Sequence, residues 1–289
     1  MNIEKHKEQI IKKFEEIDYK NGLILIESII NNKYDIGLMK KIVISLSKNK
    51  NKNKYTYEIC DYIIKNTDIN FDTEIYYYVN IIDVSKFLKF IHLCAINGNI
   101  HLLNYLIKKG ADVDLRNEDG SIALMFASQF SNSTSSIETV KLLLENGTDI
   151  NFKNNEGYTA LILASRLSNK LYSIETVKLL LENGADINLQ NKNRETALML
   201  ASKKSNDSSS PEVAKLLLDY GADINFQNKH GTTALIFSSM HSNSTSSNKT
   251  IKLLLENGAD PNLQTIYGYT ALMLASKYSN KKSSIETVK

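Results

Sequence analysis

The chain has no tryptophan, two prolines and two cysteines in 289 residues. Cys60 and Cys94 cannot build a disulfide framework, and such sparing thiol use points to a reducing compartment. No run approaches the roughly 18 apolar residues that a membrane-spanning helix requires. The opening "MNIEKHKEQIIKK" lacks the apolar stretch of a signal peptide, so the expected setting is cytoplasmic, with no membrane partner. Charge of one sign is also scarce: 35 basic residues face 32 acidic ones, a net +3, too balanced to point to nucleic acid. Glycines fall singly at turns, so no loop is built to cradle a phosphate. The five histidines, His6, His92, His101, His230 and His241, are scattered, with no nucleophile–base set and no carboxylate pair beside them. His92, Cys94 and His101 make a poor metal set, because residues two apart on a helix point to different faces and two imidazoles with one thiol do not close a zinc site. The expectation is a non-enzyme with no cofactor, no metal and no small-molecule ligand.

What the chain does have is repetition. The stretch "SIETVKLLLENGADINLQ", Ser173 to Gln190, returns every 37 residues, and Gly110, Gly147, Gly184, Gly221 and Gly258 keep its phase. A fixed period of this size marks units that bury their apolar faces only against their neighbours. In the copy at 173, Val177, Leu180 and Leu181 form one helical stripe, widened by Ile174 and Leu179, while Glu175, Lys178 and Glu182 fall on the wetter side. Ser173 or a neighbour is predicted to cap this helix, and Ser210-Pro211 to open the next copy. Gly184 is predicted to end the helix at positive φ. A turn follows, such as Asn154, Glu156 and Gly157, and then "TALILAS", a short helix with Thr159 as its predicted N-cap. Arg194 stands where other turns have Gly120, Gly157, Gly231 and Gly268, and if that position needs positive φ the arginine costs about 1 kcal/mol. Ile122 stands where the other short helices have a threonine cap.

Turn, short helix, loop, longer helix and glycine stop together resemble the ankyrin repeat. The family pattern D-x-x-G-x-T-P-L-H-L-A-A…L-L-L-x-x-G-A-D-x-N appears as "NNEGYTALILAS…VKLLLENGADIN" and again as "NKHGTTALIFSS…IKLLLENGADPN", and the resemblance covers residues 88 to 289. It implies an all-α solenoid of stacked helix-turn-helix units with hairpin-like turns. The family's proline becomes Ala123, Ala160, Ala197, Ala234 and Ala271, and its histidine becomes Met125, Ile162, Met199, Ile236 and Met273. Only the unit "FIHLCAINGNIHLLNYLIKKGADVD" keeps the histidine, as His92. The period is four residues longer than the family's usual repeat of about 33. The extra residues lie between the helices, where Ser131-Asn132, Ser168-Asn169, Ser205-Asn206, Ser242-Asn243 and Ser279-Asn280 recur. They read as a repeated polar loop, with a secondary contact surface as the rival reading.

Residues 1–87 read as two degenerate ankyrin units capping the array, or as an unrelated small helical domain. Residues 88–289 form the repeat domain: one unit without the insertion, four units of 37 residues, and a last unit that stops at "SIETVK", as a shortened product would. Richness in Asn, Lys, Ile and Tyr, with the Ser-Asn loops, resembles ankyrin proteins of giant DNA viruses of the Mimivirus family.

The resemblance implies binding of a protein through turn tips and the short-helix face. Carried over by motif position, the candidate contact residues are Glu118, Asp119, Phe130, Glu156, Tyr158, Arg166, Lys192, Arg194, Lys203, Lys204, Lys229, His230, His241, Tyr267, Tyr269 and Tyr278. These columns vary between units while the packing columns barely change. Acidic tips come early, basic ones in the middle and aromatics late, so a protein partner basic or neutral at the start and acidic in the middle is expected. Two other readings stand beside the scaffold: an adaptor that hands a bound protein to a ubiquitin-ligase-type machine, and an inert product of repeat expansion.

Overall fold

The computed structural model describes Ile42, Ile44, Ser45 and Lys48, which are helical, and residues 75–79, 84–131, 135–166, 171–203, 210–240 and 245–279. Most of the expected N-terminal helices, all five Ser-Asn pairs in whole or part, and the closing "SIETVK" lie outside these residues. The chain divides into two compact units: one of residues 1–127 and 134–148, the other of residues 128–133 and 149–289.

The first unit holds a departure from the helical expectation. Strands β1 (Ile75–Val79) and β2 (Val84–Leu88) pair antiparallel, Ile75 opposite Leu88 and Val79 opposite Val84. The run "IYYYV" is β-branched and aromatic, the composition that favours a pleated ribbon over a helix. Helix α1 (Phe90–Asn97) is buried along its whole length, and Gly98 ends it at φ 63. Asn99 then caps α2 (Ile100–Lys108) by accepting from the Leu102 amide at 3.1 Å. Helix α3 (Ala123–Phe130) begins in this unit and ends in the other, and α4 (Ile137–Glu145) packs on α2. Ile122, which cannot cap α3, is instead fully buried, exchanging a cap for apolar burial.

The second unit repeats one motif. The short helices α5 (Ala160–Arg166), α7 (Ala197–Lys203), α9 (Ala234–Met240) and α11 (Ala271–Ser279) lie side by side in that order. The longer helices α6 (Leu171–Glu182), α8 (Ser210–Asp219) and α10 (Thr245–Glu256) form a second row behind them. Helix α6 starts at Leu171, so Ser173 sits inside its first turn and is not the cap, while Ser210 is the first helical residue of α8, one place inside its expected role. The threonine caps are as expected: Thr159, Thr196, Thr233 and Thr270 accept from the amides three residues on, at 3.2 to 3.4 Å. The stripe residues Val177, Leu180, Val213, Leu217 and Leu254 are buried.

Each glycine stop is left-handed, Gly184 at φ 88 for instance, and the next amide reaches back to close the helix end, Ala185 N–H to Leu180 O at 3.0 Å. Arg194 takes φ 59 and is the non-glycine residue found at positive φ among the described residues, so the strain expected of it is present. Ser131, of the one Ser-Asn loop whose serine is described with its side chain, is buried; it donates to Ser128 O at 3.1 Å and accepts from Thr176 Oγ1 at 2.9 Å. That hydroxyl pair ties an inter-helix loop to the longer helix of the following repeat.

Candidate functional site

The turns that lead into the short helices are built by asparagine. In the second unit, Asn154 Oδ1 accepts from Glu156 and Tyr158, Asn191 Oδ1 from Asn193 and Glu195, and Asn228 Oδ1 from His230 and Thr232, all between 2.9 and 3.1 Å. One short side chain thus satisfies two turn amides that the backbone leaves open. In the first unit Asn117 serves Ser121 in the same way. The recurrence of asparagine at 117, 154, 191 and 228 is the sequence signal of this role.

Successive tips of the second unit are stitched by backbone. Lys192 N–H donates to Glu156 O at 2.9 Å, Lys229 N–H to Asn193 O at 3.0 Å and Ile266 N–H to His230 O at 3.0 Å. A second seam runs through the "ADIN" asparagines: Asn151, Asn188 and Asn225 accept from the amides of Asp186, Asp223 and Asp260 at 2.8 to 2.9 Å. The stitching brings neighbouring tips close. A Cβ on Gly157 would stand 3.0 Å from Asn191 and Lys192 backbone, and one on Gly231 would stand 2.8 Å from Gln264 O. Glycine there answers both the positive φ and the missing room.

Tip and short helix are joined side chain to side chain within a repeat. The residue after the turn meets the residue eight places on, at the end of the short helix: the Arg166 guanidinium lies over the Tyr158 ring at 5.7 Å, Lys203 pairs with Glu195 at 3.5 Å, and Lys277 lies over the Tyr269 ring at 5.4 Å. The variable columns at these two places are therefore coupled, and part of their variation is pairing within a repeat. Across repeats, Lys192 pairs with Glu156 at 3.4 Å and Lys203 also lies over the Phe237 ring at 5.0 Å. Glu195 is buried and takes a further bond from Asn191 Nδ2 at 2.9 Å.

These contacts place most expected site residues. Glu156, Lys192, Arg194, Lys229, His230, Tyr267 and Tyr269 are exposed, and Tyr158, Arg166 and Lys203 are half-buried on the same face. Glu118 and Asp119 are exposed at the tip of the first unit's turn. Phe130 is a correction: only 3% exposed, it is a packing residue at the end of α3 and offers a partner nothing. Lys204 and His241 lie outside the described residues, as does the side chain of Tyr278.

The most buried ionisable group serves the fold. His92 Nδ1 accepts from Lys89 N–H at 3.1 Å, which leaves the ring proton on Nε2 to donate to Leu115 O at 2.8 Å. Burial away from water lowers its pKa to about 4, against the partial opposition of the Leu115 bond. With both nitrogens committed to backbone, His92 has no lone pair to give a metal. Cys94 on the same helix is buried.

Repeated helix-turn-helix units with tips stitched to their neighbours define a repeat protein, each unit of which packs on the next. The family model "Ankyrin repeats (3 copies)" matches residues 91–191, 167–265 and 208–289, which together make up well over half of the chain. The chain belongs to the ankyrin-repeat family, an all-α repeat solenoid. No curated protein matches it. Among the described residues no helix is long and apolar enough to cross a membrane.

Proposed function

We propose that this chain is a non-catalytic scaffold that binds a protein partner through the turn tips and short helices of its second unit, ankyrin repeats being in general protein–protein interaction modules. The observation that carries this reading is the contrast between the two sets of columns. Packing positions such as Val177, Val213 and Ile251 are nearly constant and buried, whereas the tips, held rigidly by backbone stitches, present different exposed side chains in each repeat. A rigid frame with variable side chains costs little ordering entropy on binding. The contact residues of this reading are Glu156, Tyr158, Arg166, Lys192, Arg194, Lys203, Lys204, Lys229, His230, His241, Tyr267, Tyr269 and Tyr278, with Glu118 and Asp119 as the corresponding tip of the first unit. The Asn-, Lys- and Ile-rich composition supports a giant-virus source, and scarce thiols support work in a cytoplasm.

A photo-crosslinking residue placed at Lys229 or at Tyr267, and in a control at Lys252 on α10, tests the surface in the native cell. The reading requires one protein crosslinked from both tip positions and absent from the control. Crosslinks from Lys252 alone would end it.

A further inference from the structure

The near-neutral chain hides a polarised surface. On the tip and short-helix face of the second unit, the basic side chains are Arg166, Lys192, Arg194, Lys203, Lys229 and Lys277, and the carboxylates are Glu156 and Glu195. Both carboxylates are already engaged: Glu156 with Lys192 at 3.4 Å, and Glu195, buried, with Lys203 at 3.5 Å. Arg194 and Lys229 face no carboxylate among the described residues of this face. The unit's other described acids stand elsewhere, Asp149, Asp186, Asp223 and Asp260 after the glycine stops and Glu175, Glu182, Glu212, Asp219 and Glu256 on the longer helices.

The face also has a direction. Its middle is basic, through Arg194 and Lys229, and its last tip is apolar, with Ile266 62% and Tyr267 75% exposed. We infer that this face takes an acidic peptide segment that ends in an aromatic or aliphatic residue, the carboxylates lying over Arg194 and Lys229 and the apolar end over Ile266 and Tyr267. This deepens the scaffold reading and rests on it. Neighbouring helices pack about 8–10 Å apart and an extended chain advances about 3.3 Å per residue, so each repeat is spanned by roughly three residues. The acidic stretch is then about six residues long, with the apolar residue about three further on. Nucleic acid fits less well, because Glu156 and Glu195 interrupt the face and its exposed rings, Tyr267 and Tyr269, stand at one end.

Fluorescence anisotropy of a labelled peptide EDEEDEGSF tests this with the full chain, against the reversed peptide FSGEDEEDE, an all-lysine analogue and a twelve-residue oligothymidylate. The expected result is binding at low salt that weakens at least tenfold for Arg194→Glu with Lys229→Glu, weakens about threefold for the reversed peptide, and changes less than twofold for Lys249→Glu with Lys252→Glu on α10. Thermal melts of both double variants within a few degrees of the parent show that binding, and not folding, has changed. The inference is overturned if the peptide does not bind at 100 μM (about the weakest affinity a short segment would need), if both double variants lose binding equally, or if the oligonucleotide binds this face more tightly than the peptide. A partner crosslinked at the tips that carries no acidic stretch overturns this inference and leaves the scaffold reading standing.

Discussion

The Arg194 guanidinium lies 5.5 Å from the centre of the Phe226 ring, so the residue forced into a left-handed turn is held by the repeat that follows it. Left-handed backbone costs an arginine about 1–2 kcal/mol, and a cation over an exposed ring returns about 0.5–1 kcal/mol. Arg194→Ala keeps the strain and loses the ring, so it should be the least stable variant at this position. Arg194→Gly should exceed the alanine variant by about 1 kcal/mol in urea unfolding. At the equivalent Gly157 and Gly231, alanine adds a collision with backbone at 2.8 to 3.0 Å, and a loss above about 2 kcal/mol is expected. Equal losses at 194 and 231 would show that the neighbouring turn yields freely.

The turn asparagines and the seam asparagines should differ in worth. Asn228 is buried and supports two amides, which would be left unpaired in Asn228→Ala at a cost of about 2 kcal/mol. Asn188 bonds the Asp223 amide at 2.9 Å in an exposed setting, where water can replace it, and Asn188→Ala should cost less than about 1 kcal/mol. Denaturant midpoints of the two variants decide the order.

Ser165 and Ser202 are fully buried on α5 and α7, and neither hydroxyl has a hydrogen-bond partner. Their equivalent Ser239 donates back to Leu235 O at 2.9 Å. A buried hydroxyl without a partner is a penalty of about 1–3 kcal/mol that alanine removes, so Ser165→Ala and Ser202→Ala should each raise thermal stability. Ser239→Ala should be neutral or destabilising. Should all three behave alike, the helix carbonyls would be serving Ser165 and Ser202 as well.

His92 gives the first unit a pH dependence. Its folded pKa of about 4 lies below the unfolded value of 6.5, so between those limits the unfolded chain binds a proton that the folded chain refuses. Stability supplied by the neutral ring is full above pH 6.5, falls as pH drops towards 4, and levels off below that, by roughly 3 kcal/mol in all. His92→Gln should flatten this segment of the stability–pH curve. A parent curve that is already flat between pH 6.5 and 4 would show that the ring is hydrated.

The repeat was legible because its signals are local and redundant: five glycines in phase, a threonine before each short helix from Ala160 onward, and a leucine stripe with helical spacing. Each of these acts within a few residues of itself. What escaped depends on what stands across a seam. Nothing within one repeat says that Lys192 of the next will pair with Glu156, and only the stacked arrangement couples those columns, whereas Tyr158 and Arg166 meet inside one repeat. Phe130 was misread for the same reason, since its motif position is exposed in pattern and covered in fact. The ribbon of β1 and β2 escaped because a helical frame was extended from the repeats onto a stretch whose own composition favours strands.

The stitch from one tip to the next has a consequence for how such a chain changes length. Lys229 gives its amide to the tip before it, while His230, beside it, offers its carbonyl to the tip after. The modules at 192–193 and 229–230 each bring both halves of the fastener. A duplicated copy of either, set beside its parent, would offer the same amide and carbonyl on its two sides, which makes gain of a whole module an easy step for this part of the sequence.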